Sequence, residues 1–105
     1  MVELFSRLDP RMLSDGDLWR VSSSMNNINW RALGRTLGLQ ESALVNIESS
    51  YRSAGCRECA YQMMLEWKGL KPKQCTVGSL FSGLTKENMN EVAKKMAAIE
   101  FGVHE

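Results

Sequence analysis

Residues 29–50, Asn29 to Ser50, read NWRALGRTLGLQESALVNIESS. Trp30, Leu33 and Leu37 fall three and four apart, the spacing of one helix face. Gly38 follows, and glycine just past a last helical turn supplies the left-handed closing residue. Leu39 is then the apolar contact that seals that end. Gln40-Glu41-Ser42 opens a second helix, with Glu41 suited to the positive end of its dipole. Leu44, Ile47 and Tyr51 continue that helix inward. The stretch is therefore two short helices joined at a glycine, and its neighbours read as helices that pack on it.

Upstream, Ser14-Asp15-Gly16-Asp17 is a helix-start signal of small side chains that accept from free backbone N–H groups. Leu18, Val21, Ser22 and Met25 share one face, so this helix is expected to run to about Met25, where Asn26-Asn27 brings turn chemistry. Asn29 caps the Trp30 helix. Residues 1–13 are open at this point. Val2, Leu4, Phe5 and Leu8 suit a short amphipathic helix, or a partly ordered leader broken at Asp9-Pro10. Met12 and Leu13 are expected to pack back on the domain.

Downstream, Ser53-Ala54-Gly55 closes the third helix. Ala60, Met63, Met64 and Trp67, with Tyr61 and Leu65 alongside, give the fourth helix, Cys56 to Gly69, a wide apolar face, so it is expected to be the most buried. Pro72 lies in the loop after it. Thr76 caps a fifth helix in which Val77, Leu80, Phe81 and Leu84 keep helical spacing. Gly78 and Gly83 lower its propensity by roughly 1 kcal/mol each, so packing must hold it, or the glycines admit a close helix approach. Asn88 and Glu91 resemble a capping box for a last helix with Met89, Val92, Ala93, Met96 and Ile99 inward and Lys94 and Lys95 outward. Phe101-Gly102 ends it. No stretch alternates like a strand. The domain plan is a 1–13 extension, a 14–101 helical domain and a 102–105 tail.

The totals agree with one small soluble domain. A chain of 105 residues supports a single core, and a hydrophobic share of 44% is that of a folded protein rather than a disordered one. The net charge of +1 gives no basic excess for general nucleic-acid or anionic-membrane binding. The start, MVELFSRLDP, lacks the pattern of a signal peptide, and no apolar run is long enough to span a bilayer. Three cysteines, Cys56, Cys59 and Cys75, make no disulfide framework. A cytoplasmic protein is the expectation.

No catalytic constellation emerges. Cys56-Arg57-Glu58-Cys59 has the spacing of a metal or redox pair, but a structural zinc site needs four ligands and no strand precedes the motif. His104 is the one histidine and sits in the tail, remote from any nucleophile. No cofactor, metal or catalytic residue is assigned. The seven methionines, Met63, Met64, Met89 and Met96 among them, could form an adaptable binding groove, but their helical spacing favours core filling. A glycine corner between helices also occurs in helix-turn-helix DNA readers; here Glu41 and Glu48 on the second helix would repel phosphate.

The anchors, taken in order, carry a family resemblance. They are Trp30-x-x-Leu33-x-x-x-Leu37-Gly38-Leu39, then Ile47-Glu48, then Met64-Leu65-Glu66-Trp67, then Thr76-Val77-x-x-Leu80-x-x-x-Leu84. Over about residues 14–101 this resembles a death domain. YRSAG, YQMMLEW and TVGSL are similar to segments of the receptor-interacting protein kinases and the insect immune-deficiency adaptor. NMNEVAKKM is similar to the last helix of the Fas-associated death-domain adaptor. The resemblance implies an all-α, six-helix antiparallel bundle with the Greek-key topology of the death fold. It implies a non-enzymatic signalling adaptor that binds other death domains, itself included, and builds oligomers in cell-death or innate-immune signalling. The alternatives are a helical nucleic-acid-binding domain and a caspase-recruitment module.

Charged side chains are the candidates for protein binding. Arg31 and Arg35, expected to be solvated, join Glu41, Glu48 and Arg52 in a mixed-charge face, with Glu48 and Arg52 paired along their helix. Arg57 and Glu58 could answer it. Lys68, Lys71 and Lys73 form a basic corner whose opposite is an acidic corner on a partner, or Glu87 and Glu91 of another copy.

Overall fold

The computed structural model describes residues 11–25 and 29–96. Expectations for residues 1–10, the Asn26-Asn27 turn, Ile99, the Phe101-Gly102 stop and His104 lie outside the described residues. Among the described residues the fold is all-α with six helices: α1 Asp15–Ser22, α2 Trp30–Thr36, α3 Glu41–Tyr51, α4 Cys56–Leu70, α5 Val77–Lys86 and α6 Asn90–Lys95. Short 3-10 turns at Arg52–Ala54 and Pro72–Gln74 flank α4. α4 packs against α1, α2 and α3, while α5 joins α2 to α6.

Local chemistry sets the helix starts. Ser14 accepts from the Asp17 N–H at 3.1 Å, and Asp17 accepts from the Ser14 N–H at 2.9 Å, a reciprocal capping box. Asn29 accepts from the Ala32 N–H. Thr76 does the same for Ser79. α1 stops at Ser22, short of Met25. The Ser22 and Ser23 hydroxyls donate to the Trp19 and Arg20 carbonyls at 2.6 Å each. The chain then tightens, with Ser24 and Met25 donating three residues back to Val21 and Ser22. Serine back-bonding competes with the helix ladder, and Met25 stays buried in the tightened turn.

The Gly38 corner forms as its sequence predicts. Gly38 has φ +101°. Its N–H donates to Arg35 and the Leu39 N–H donates to Gly34, both at 3.0 Å, the double closure of a Schellman motif. The end of α5 repeats it, and here the expected capping box fails. Asn88 sits at φ 59° and donates to Thr85, while Met89 donates to Leu84. Asparagine tolerates the left-handed region, so Asn88 closes α5 instead of capping α6, whose N-cap is Met89 and which has no side-chain cap.

Leu18, Leu33, Leu44, Met63, Met64, Leu80 and Leu84 are fully buried, and Trp67 and Trp30 nearly so. α4 supplies Cys59, Ala60, Met63, Met64 and Trp67 to the core, and it runs one residue past Gly69. Two glycines set the close approaches. A Cβ on Gly34 would lie 2.6 Å from Leu44 Cδ2 and 3.1 Å from Met63 Cγ. One on Gly83 would lie 3.1 Å from Leu37 Cδ2 and 3.3 Å from Leu33 Cδ1. α2 is thus gripped between α3–α4 and α5. Leu13 packs back into the core, whereas Met12 is half exposed. Met12 makes an isolated antiparallel bridge to Thr76, with Leu13 donating to Cys75 and Val77 donating to Arg11.

Candidate interaction surfaces

The mixed-charge face lies across α2 and α3, and its charges pair between the helices. Arg35 Nε and Nη2 donate to the two Glu41 carboxylate oxygens at 2.8 and 3.1 Å, a two-pronged fit. Arg31 Nη2 lies 2.8 Å from Glu48 Oε1. The Arg35 hydrogen bond holds the Glu41 carboxyl below the usual carboxylate range, and Glu41 in turn raises Arg35.

Two expectations are corrected here. Glu48 takes Arg31 from the neighbouring helix rather than Arg52. Arg31 is half-buried with its Nε enclosed and without a hydrogen-bond partner, so it is not a freely solvated side chain. The cause is the tight Gly38 corner, which brings α3 within reach of arginines on α2. Spacing along one helix cannot reveal a partner on another. Arg52 is exposed.

At the start of α4, Arg57 is fastened to α1. Its guanidinium carbon sits 3.6 Å from the Trp19 ring centroid. Nη2 donates to the Trp19 carbonyl at 3.1 Å and Nε to the Ser22 hydroxyl at 3.2 Å. Tyr61, one turn further on, meets Trp19 edge-on with ring centroids 5.0 Å apart. Trp19 is the residue that pattern reading passes over, because it lies off the Leu18–Val21–Met25 face. It is 39% exposed. The signal was the four-residue spacing of Arg57 and Tyr61, a cation and an aromatic on one face. Glu58 accepts from Gln62 Nε2 at 2.8 Å.

The basic corner is divided. Lys68 Nζ pairs with Asp15 at 2.8 Å. Lys71 lays its ammonium over Gly38, 2.4 Å from where a Cβ would stand, at the electronegative end of α2. Lys73 is exposed on the Pro72–Gln74 turn. Across the α5–α6 turn, Glu87 accepts a hydrogen bond from the Thr36 hydroxyl. Glu91 is 3.8 Å from Lys94 within α6. Arg57 and Lys68 are separated by eleven residues of α4, about 16 Å along its axis, so the two charged ends of that helix form distinct surfaces.

Asp17, named in the sequence only as part of the helix start, goes further than that signal. It is fully buried, held by the Ser14 N–H and by Arg20 at 3.0 Å. Cys56 is exposed while Cys59 and Cys75 are buried. Burial raises both buried thiols, Cys75 to about 11. Among the described residues no three His, Cys, Asp or Glu side chains come together to hold a metal, and no helix is long and apolar enough to cross a membrane.

Comparison with known proteins accounts for this arrangement. The family model described as "Death domain" matches residues 15–100, from α1 past α6. The tumor necrosis factor receptor type 1-associated DEATH domain protein of Xenopus laevis is 29% identical over 76 residues, 68% of this chain. Those residues make up 25% of that protein, so the chain spans about a quarter of the relative's length. No solved structure matches. Helix order, glycine corner, buried tryptophans and the family match converge: the chain belongs to the death-domain family of protein-interaction modules.

Proposed function

We propose that this chain is a cytoplasmic signalling adaptor module that binds other death domains, including copies of itself, and assembles them into an oligomer for cell-death or innate-immune signalling. The observation that carries the reading is the family match over residues 15–100. Partners of this kind are death domains on a receptor tail, an adaptor or a kinase.

The charge layout supports the mechanism. One surface is the α2–α3 face with Arg31, Arg35, Glu41, Glu48 and Arg52. A second is Arg57 and Glu58 at the start of α4. A third is Lys68, Lys71 and Lys73 at its far end, with Glu87 and Glu91 near the α5–α6 turn. Surfaces at opposite ends of a helix cannot all be covered by a single two-fold contact. Head-to-tail contacts between unlike surfaces do not close on two subunits and so grow rings or spirals. Opposed charges then set encounter rate and partner choice. Ion pairs such as Arg35–Glu41, exposed on both sides, are screened by water and contribute little. Exchanging them for intermolecular pairs therefore costs little.

The test is the mass of the purified chain by light scattering at low and high salt, and its binding to candidate death domains. Arg35→Glu and Lys71→Glu should each abolish assembly while the helical spectrum persists. The double exchange Arg35→Glu with Glu41→Arg restores the internal pair but reverses the face, and should still fail to assemble. Assembly and binding that survive these reversals would refute the charged-face mechanism.

A further inference from the structure

A cleft of about 260 Å³ opens between α2, the Pro72–Gln74 turn and α5. We infer that it is a binding site for a phosphoryl group, carried either by a small phosphate compound or by a phosphorylated side chain of a partner protein.

The donors make the case. Lys71, Gln74, Ser79, Ser82 and Lys86 all line the cleft, and no carboxylate does. Ser79, Ser82 and Lys86 recur three and four apart, so they share one face of α5. Neither lysine has an ion-pair partner among the described residues, whereas Lys68 and Lys94 are matched to Asp15 and Glu91. Ser79 accepts a hydrogen bond from the Thr76 hydroxyl at 3.0 Å, which leaves its own proton free. Ser82 and Gln74 have no side-chain partner among the described residues. The Thr36 hydroxyl also lines the cleft, but its proton is committed to Glu87. Two lysines and three neutral donors therefore line one cleft.

That count selects the ligand. A carboxylate offers two acceptor oxygens, whereas a phosphoryl group offers three and close to two negative charges at neutral pH. Hydrogen bonds from ammonium donors to such an anion are about twice as strong as neutral ones. Leu37, Trp67 and Gly83 complete the lining. Glu87, bonded to Thr36 at the edge of the cleft, opposes the anion and so lowers its affinity.

The inference is independent of assembly, because it is read on the unassembled chain. Titrate the 15N-labelled chain with inorganic phosphate, with a short phosphoserine peptide and with sodium acetate at matched ionic strength. Phosphate should give saturable NMR shifts at Gln74, Ser79, Ser82 and Lys86 and none at Lys94 or Lys95. Lys86→Gln should weaken binding by about tenfold, the scale of one charge-assisted hydrogen bond, and Ser82→Ala by less. Glu87→Gln should strengthen it. A phosphoserine peptide that binds more tightly than phosphate identifies a modified partner protein as the source. Equal or weaker binding identifies a small phosphate compound. Shifts that do not saturate, that Lys86→Gln leaves unchanged, or that acetate reproduces at equal concentration would overturn the site.

Discussion

Gly34→Ala separates two opposing effects on α2. Within a helix, replacing glycine by alanine should stabilise by roughly 0.5–1 kcal/mol through backbone entropy. Here the added methyl stands 2.6 Å from Leu44 Cδ2, with Met63 Cγ at 3.1 Å and Met63 Sδ at 3.6 Å behind it. Leu44 Cδ2 is the far end of a flexible side chain, but both Leu44 and Met63 are fully buried, so neither has solvent to move into. Overpacking of this kind costs about 1–3 kcal/mol. The sum is a net loss of about 1 kcal/mol, and at most about 2.5. In a domain of this length 1 kcal/mol lowers Tm by about 4 °C or more.

Gly83→Ala is the control. Its methyl would meet Leu37 Cδ2 at 3.1 Å and Leu33 Cδ1 at 3.3 Å. These are gaps that a few tenths of an ångström relieve, and Leu37 lies at the rim of the core, beside the α2–α5 cleft. Its crowding and propensity terms should nearly cancel. Urea unfolding followed by tryptophan fluorescence and by helical circular dichroism gives both midpoints. The reasoning fails if Gly34→Ala is as stable as the parent, or more stable than Gly83→Ala, with unchanged m.

Two further outcomes follow from contacts and burial. Arg57→Ala removes the stack on Trp19 and two hydrogen bonds to α1, a loss of about 1–3 kcal/mol. Arg57→Lys should recover part of it, and equal stability of Arg57→Ala and the parent in urea would show that α1 does not depend on the clasp. The Cys75 thiol, raised by burial from 9.0 to about 11, holds its proton in the folded state where the unfolded chain has lost it. Its contribution is therefore complete below about pH 9 and falls as pH rises toward 11; Cys75→Ala should flatten that alkaline decline, and an unchanged decline would refute it.

What the sequence made legible was what chemistry close along the chain decides. Ser14, Asn29 and Thr76 cap helices because a short side chain reaches the N–H three residues on, wherever the rest of the molecule lies. Gly38 closes α2 because a glycine after the last turn takes the left-handed conformation without steric cost. Asn88 shows the limit of that logic. Asparagine suits both a helix start and a left-handed helix end, and the Asn88–Glu91 spacing points to the first. The structure takes the second, because Met89 is then buried against α5 while its N–H satisfies the Leu84 carbonyl. Gly34 and Trp19 were illegible for another reason. They acquire their roles from neighbours on other helices, Leu44 and Met63 for Gly34, Arg57 and Tyr61 for Trp19. Asp17 caps locally as the sequence suggests, and only its full burial depends on the rest of the fold. Arg31 was misjudged in the same way, since its partner Glu48 is seventeen residues away.

That distinction bears on which charges are available to a partner, the part of the proposal that pattern alone weighs equally. Arg57 is held by a ring stack and two hydrogen bonds, so recruiting it to an interface means giving up all three contacts with α1. Lys68 and Glu87 are each held by a single polar contact, to Asp15 and Thr36. Arg35 and Glu41 hold only each other, on a face where both are more than half or half exposed, and water screens what they would lose. Arg52 and Lys73 are exposed, with no ion-pair partner among the described residues. The order of availability is thus Arg52 and Lys73 first, the Arg35–Glu41 pair next, and Arg57 last. On this reasoning Arg57 acts chiefly by fixing Trp19, the half-exposed side chain of α1 that lies beside the start of α4.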